Sequence, residues 1–454
     1  MTARVIALNG MRAGRPLRPA RFSLCVALLA AAAGLLPVGA TGATAAYTAE
    51  APQSGQSISD FYAARDGSPL WLREDGGMSV EAGILLDYLR SADADGLDPG
   101  KYRVAQLEKA IRSASKPSAV RKADQMLSQA FVGYVRDLRH TPPVGIVWVD
   151  PELKPQAPSA GEILQAASEA PSLKNWLVGM RWMHPIYAGL RDAISRRHYG
   201  GADPELLRLN LERARALPAG NGRYILVNAT TARLSAYEDG RIIDSMKVVV
   251  GKPKNPTPMM AALIRFASMN PYWYVPPDLA AERIAPNVLK EGLGYLKTHG
   301  YQVMSDWSER AEMIDPSTID WQAVVDGTKQ VWVRQLPGPG NAMGKMKFMF
   351  PNTQGIYLHD TPQKELLSEA SRLFSGGCVR LEDAARLGQW LFGKPLQPAS
   401  KTPEQRVDLP APVPVYITYL TVMPSGTELA TYPDVYSRDR DELVMLDRQR
   451  VASR

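Results

Sequence analysis

Two residues carry the chemistry open to this sequence. Cys378 stands in Ser375-Gly376-Gly377-Cys378-Val379-Arg380, nineteen residues after the histidine of Ile356-Tyr357-Leu358-His359-Asp360-Thr361-Pro362. A thiolate attacks carbonyl carbon readily, and a nearby imidazole can lower the thiol pKa and shuttle its proton. A depressed Cys378 pKa is therefore expected. The glycines let the backbone turn tightly and approach a ligand. They also leave the N–H groups of Gly377 and Cys378 accessible as an oxyanion hole. Arg380 can grip a substrate carboxylate, with two parallel bonds if geometry permits. Asp360 could orient the imidazole through its carbonyl or its carboxylate. The competing reading is a buried free thiol beside a strand-end histidine, and spacing alone leaves both open.

Cysteine usage favours the chemical reading. The chain has two cysteines, and the other, Cys25, falls in an expected export signal. Arg4, Arg12, Arg15, Arg18 and Arg21 form a positive leader, Phe22 to Leu36 is apolar, and Ala43-Thr44-Ala45 suits cleavage. The apolar run is shorter than the roughly 20 residues of a spanning helix, so a cleaved signal over 1–45 and a periplasmic protein are expected. A thiol without a partner for an internal disulfide in an oxidising compartment calls for a function. The chain carries a net charge of +7, and removing the five arginines of 1–45 leaves +2. Such a balance, without basic-aromatic motifs, argues against a nucleic-acid partner. His140, His184 and His198 lack metal-ligand spacing, and no cofactor or metal is expected.

The surrounding elements must place these groups. Residues 46–218 read as a mainly helical domain. Ala82, Leu85, Leu86 and Leu89 recur at helical spacing behind a possible Ser79 N-cap, and Leu127, Ala130, Phe131, Tyr134 and Leu138 repeat the pattern. Trp176, Met180 and Met183 offer a third stripe, and Leu206–Leu217 a fourth helix. Asp95-Gly96-Leu97-Asp98-Pro99 and Pro142-Pro143-Val144-Gly145 read as turns. From Gly220-Asn221-Gly222 the period becomes strand-like. Tyr224–Asn228 is a strand, and Asp239-Gly240 joins a hairpin of 234–237 and 242–250. A strand is expected over 264–275, then an inserted cap over 276–335 with a helix at 279–291. Strands resume at 331–334, 347–350 and 355–359. A helical stretch around 365–373 brings the chain back to the cysteine. A helix at 383–392 ends at Gly393, and 413–422 is a strand placed at an edge by Pro414. The catalytic unit is read as 219–440, and the charged residues from Ser437, including the tail 441–454, are expected to fray.

In the strand 355–359, Tyr357 and His359 share the face opposite Ile356 and Leu358. The motif around Cys378 with the upstream histidine resembles the signature of the L,D-transpeptidase (YkuD-type) family, in its YcbB-like branch of Gram-negative bacteria. The resemblance extends in order through Val249-Val250-Gly251-Lys252-Pro253, Asn270-Pro271-Tyr272-Trp273, Pro337-Gly338-Pro339-Gly340-Asn341-Ala342, Lys347-Phe348-Met349-Phe350-Pro351-Asn352 and Pro414-Val415-Tyr416-Ile417-Thr418. Phe61-Tyr62, Asp95–Pro99 and 184–190 resemble the same branch. It implies an α+β multidomain protein: a helical N-terminal scaffold domain, then a β-rich catalytic domain with an inserted capping subdomain.

The resemblance further implies Cys378 as nucleophile, His359 as base and the Asp360 carbonyl as its orienting partner. The implied substrates are peptidoglycan tetrapeptide stems. The thiol would take the L-centre of meso-diaminopimelate, release D-Ala and pass the acyl group to a second diaminopimelate amine. Carbapenem β-lactams are implied inhibitors. Tyr357, Asn341, Ser375 and Gly376 join Arg380 as candidate substrate contacts. Gly376 replaces a histidine common in the family, so His359 should act alone. A small peptidoglycan-binding module usual in that branch has no room between His198 and the 206–217 helix. A carboxypeptidase on the same stems and a non-catalytic wall scaffold are the alternatives.

Overall fold

The computed structural model describes residues 57–140, 144–220, 222–308 and 310–452. The expected signal over 1–45, Pro142-Pro143 and Asn221 lie outside them. The first part is a helical scaffold: α1 (Ile58–Ala63), α2 (Val80–Arg90), α3 (Val104–Arg112), α4 (Pro117–Leu138), α5 (Ala160–Ser168), α6 (Leu173–Val178), α7 (Pro185–Ser195) and α8 (Pro204–Arg215), with a short β1 (Val147–Trp148). Ser79 caps α2 by accepting from Ala82 N–H, and Ala82, Leu85, Leu86 and Leu89 are buried along one face. The stripe of Trp176, Met180 and Met183 is not one helix. α6 stops at Val178, and Met180 takes a positive φ of 43° in the turn that follows.

Buried carboxylates organise this scaffold. Asp124 on α4 accepts from the backbone N–H groups of Leu70, Trp71 and Leu72, each at 2.8 Å, and from Tyr62. Asp95, read above as a turn residue, accepts from Tyr134 and Tyr187, both at 2.7 Å, and pairs with Arg191 at 3.2 Å. Gly96 follows with φ 73°, which only glycine adopts cheaply.

The second part is a closed sheet. Its first strands are β2 (Arg223–Asn228), β3 (Arg233–Glu238), β4 (Arg241–Gly251) and β5 (Met260–Met269). The Asp239-Gly240 turn has φ of 46° and 76°, the left-handed pair a tight hairpin needs. The expected 264–275 strand is two. β5 ends at Met269, Asn270 turns with φ 49°, and β6 (Trp273–Val275) opens the insert. The insert continues through α9 (Pro277–Leu279), a π-helical turn (Ala280–Ile284), α10 (Ala285–Glu291), α11 (Gly294–Thr298), β7 (Tyr301–Met304), α12 (Trp321–Val325) and β8 (Trp332–Gln335). So the expected single helix over 279–291 is interrupted. Strands β6, β8 and β7 make a separate sheet over a small core of Val275, Leu279, Ile284, Val288, Val303, Trp321 and Val333.

The chain then adds β9 (Met346–Met349), β10 (Leu358–His359), β11 (Leu373–Ser375), β12 (Val379–Leu381), α13 (Ala384–Phe392), β13 (Gln405–Thr418), β14 (Val422–Ser425), β15 (Glu428–Thr431) and α14 (Arg438–Ala452). The order β5-β13-β2-β3-β4-β12-β10-β9 returns to β5 through a β5–β9 pairing, which removes the open edges. Ile225 and Val227 point into the sheet's core, while Tyr224 and Leu226 pack on the scaffold. That two-sided burial explains the unbroken apolar run.

Three expectations change here. Lys364–Ser368 is a short 3-10 turn, not a helix over 365–373. β13 is central, between β5 and β2. Pro414 is tolerated because β2 pairs only from Val415 onward and β13 is bulged between Asp408 and Val413. The residues from Arg438 form a helix. Asp439 and Glu442 reach the buried Arg213 of α8 at 2.6 and 2.9 Å.

Candidate functional site

The site is built on two very short strands. β10 and β12 run parallel with Leu358 opposite Val379 and His359 opposite Arg380. Leu358 and Val379 fill the core. Alternation then puts Tyr357, His359, Cys378 and Arg380 together on the other face. The Tyr357 and His359 ring centroids are 5.8 Å apart. Tyr357 lies close enough to the Cys378 thiol for the two to influence each other's ionisation, and Sγ donates to Gly355 O at 3.4 Å.

His359 is buried, and its Nδ1 lies 2.5 Å from Asp360 O. A carbonyl can only accept, so Nδ1 carries the proton and Nε2 keeps the lone pair. The Asp360 carboxylate turns away, to Lys364 Nζ and Lys345 N–H, each at 2.9 Å. Of the two ways Asp360 could orient the ring, the structure shows the carbonyl.

The thiol is not depressed as expected. Burial pushes Cys378 from 9.0 up to about 11, with Tyr357, Arg380 and Lys347 pulling more weakly the other way. Burial likewise brings His359 from 6.5 down to about 3, helped by the positive charge of Arg380. The resting pair is a neutral thiol and a neutral imidazole. The expectation failed because it weighed the histidine and not the desolvation that the fold imposes.

Several proposed contacts prove to be supports. Ser375 is buried; its hydroxyl donates to Cys378 O at 2.6 Å and accepts Gly377 N–H at 3.1 Å. That hydroxyl holds the loop and is not offered to a substrate. It also occupies the Gly377 N–H, which weakens the expected oxyanion hole at that donor. Asn341 is buried and donates to Pro271 O, Gln335 O and Leu336 O. It ties the entry and exit of the insert, far from a substrate-contact role. Gly377 has φ 121° and is buried. Gly376 is exposed, and a Cβ there would lie 3.1 Å from Leu279 Cδ1 of the insert.

Sequence reasoning missed three residues. Thr257, fully buried, accepts from Gly251 N–H and donates to Gly377 O, both at 2.8 Å. Lys347 pairs with Glu404 at 2.9 Å and adds positive charge near the thiol. Arg283, on the π-helical turn, lies close enough to Arg380 for its charge to be felt there. Lys347 sat in a noted motif and could have been found; the other two carry no local signal.

These features gather a cysteine and a histidine on one face of a closed sheet, beside an insert. Residues 222–408 match the model of the L,D-transpeptidase catalytic domain (YkuD), and residues 56–194 match that of a scaffold domain. The second part of the chain is thus similar to the L,D-transpeptidase catalytic domain. A Haemophilus influenzae protein named "Putative L,D-transpeptidase" is 32% identical over 246 residues, 52% of this chain and 48% of that protein. The chain therefore spans about half the length of that curated relative. An L,D-transpeptidase from Mycobacterium smegmatis aligns at 13% identity over 44% of this chain and 61% of that one, with a TM-score of 0.22. A further L,D-transpeptidase, in complex with imipenem, aligns at 14% identity over 44% and 61%, with a TM-score of 0.20.

Proposed function

We propose that the protein is a periplasmic peptidoglycan L,D-transpeptidase of the YcbB-like branch. The observation that carries this is the shared face of Tyr357, His359, Cys378 and Arg380 under the insert. The catalytic-domain match and the scaffold preceding it support the reading.

Cys378 Sγ attacks the L-centre carbonyl carbon of meso-diaminopimelate as its proton passes to His359 Nε2. Because both groups rest neutral, attack and proton transfer proceed together. The oxyanion is met by the Cys378 N–H. The C–N bond to D-Ala breaks, and the leaving amine takes the proton from His359. A thioester remains. The free amine of a second diaminopimelate attacks it, His359 accepts the amine proton, and the thiol is restored as the C–S bond breaks. An insert that excluded water would favour the amine over hydrolysis. The same thiol could open the strained ring of a carbapenem.

The test is mass spectrometry of muropeptides after incubation with disaccharide-tetrapeptide, wild type beside Cys378→Ala. Dimers joined through two diaminopimelates, absent with the variant, are expected. Tripeptide monomers alone would make the protein a carboxypeptidase, and unchanged substrate would remove the proposal. Fractionation with N-terminal sequencing of the mature chain tests the export signal and the periplasmic location.

A further inference from the structure

The site holds two guanidinium groups without an acid. Arg380 is 8% exposed. Its Nη1 donates to Gln363 Oε1 at 2.7 Å, while its buried Nε has no partner. A guanidinium taken out of water without a counter-ion is costly, so such a group marks a place where an anion belongs. Burial and the nearby positive charge of Arg283 pull its pKa below the ordinary value.

Arg283 is carried by the π-helical turn of the insert. The turn that bears it is fixed over the site at two points. Leu279 stands against Gly376, and Glu282 pairs with Lys252 at 2.6 Å and Lys254 at 3.8 Å. Glu282, next to Arg283 in sequence, makes its ion pairs with these two lysines and feels the charge of Arg283 more weakly. Lys347, the third cation of the site, is already paired with Glu404. Among the described residues neither Arg283 nor Arg380 lies within ion-pair distance of a carboxylate. Two like charges held near one another are stabilised by an anion between them. The turn is also π-helical, a geometry that recurs at functional positions.

We propose that Arg283 of the insert and Arg380 of β12 form a two-sided clamp for a carboxylate of the donor stem, so that the insert reads the substrate's negative charge. This rests on the transpeptidase reading for the identity of the stem. Two carboxylates have the required chemistry: that of the terminal D-Ala and that at the D-centre of diaminopimelate.

The test is calorimetric binding to full-length Cys378→Ala. Three tetrapeptides are compared: the free acid, the form amidated at D-Ala, and the form amidated at the diaminopimelate carboxylate. One amide should bind roughly tenfold or more weakly than the acid, the scale of a lost charge-assisted pair. Which amide does so names the carboxylate. Adding Arg283→Gln should reduce that preference to near unity, and Arg283→Lys should keep part of it. Equal binding of acid and amides, an undiminished preference with Arg283→Gln, or no binding of the free acid would each overturn the clamp. Dimer formation by the wild type is read separately. Dimers with equal acid and amide binding would sink the clamp alone; no dimers and no binding would sink both readings.

Discussion

The neutral pair makes a sharp prediction about alkylation of Cys378. With its pKa near 11 in place of 9.0, the thiol is two decades less ionised at neutral pH than an unburied one. At pH 7 that is about 0.01% thiolate against about 1%. A more basic thiolate is a better nucleophile, by about sixfold to tenfold over that interval. The net effect is a Cys378 roughly tenfold slower toward iodoacetamide than the same cysteine in the urea-unfolded chain. Access to the thiol differs between the folded and unfolded chain, so the course with pH carries the test. Peptide mapping of Cys378 should show the rate rising about tenfold per pH step from 7 to 10, with no plateau below. With His359 near 3, no second inflection should appear between pH 5 and 8. A plateau there, or a folded thiol faster than the unfolded one at pH 6, would show a thiolate–imidazolium pair and refute the reasoning.

Other perturbations follow from single contacts. Gly376→Val places a branched side chain against Leu279 and should cost about 1–3 kcal/mol of overpacking, read as lower kcat/KM, with Leu279→Ala restoring part of it. Asn341→Ala leaves three backbone carbonyls and the Met343 N–H without their partner. It should cost about 1–3 kcal/mol in denaturant unfolding while leaving donor KM within about twofold. Ending the chain before Arg438 strands Arg213 as a buried cation and should cost about 3–5 kcal/mol; Arg213→Met in the shortened chain should recover much of that.

The chemical residues were readable because they crowd into two short motifs. The hairpin at Asp239-Gly240 and the Ser79 cap were readable because a turn and a helix start are local events. What stayed hidden is long-range. Nothing near Asp439 and Glu442 signals Arg213, which lies 226 and 229 residues earlier, so the tail read as fraying. Pro414 read as an edge because the missing N–H is local, whereas the bulge and the late start of β2 pairing that accommodate it are not. Ser375 and Asn341 read as contacts because polar residues near a nucleophile invite that reading. Only their burial and their backbone partners show them to be supports. The thiol's pKa was misjudged for the same reason: its largest cause is burial, which the fold supplies.

The approach of Leu279 to Gly376 links the insert to the fate of the thioester. An insert standing beside the thiol would keep water from the acyl group once it forms, so transfer and hydrolysis would compete through the state of the insert. Glu282 holds the π-helical turn to Lys252 and Lys254. Glu282→Gln removes the charge from that latch and spares every group placed in the acyl-transfer steps. Loosening should therefore change the partition more than the chemistry. Dimers should fall relative to tripeptide monomers by about threefold to tenfold, the scale of a weakened, half-exposed ion pair. The rate of D-Ala release should move by less than about twofold. An unchanged product ratio would mean that the latch does not govern water. A loss of D-Ala release in proportion to dimers would mean that Glu282 acts before the thioester forms, and the insert would then be a device for binding the donor and not for protecting the intermediate.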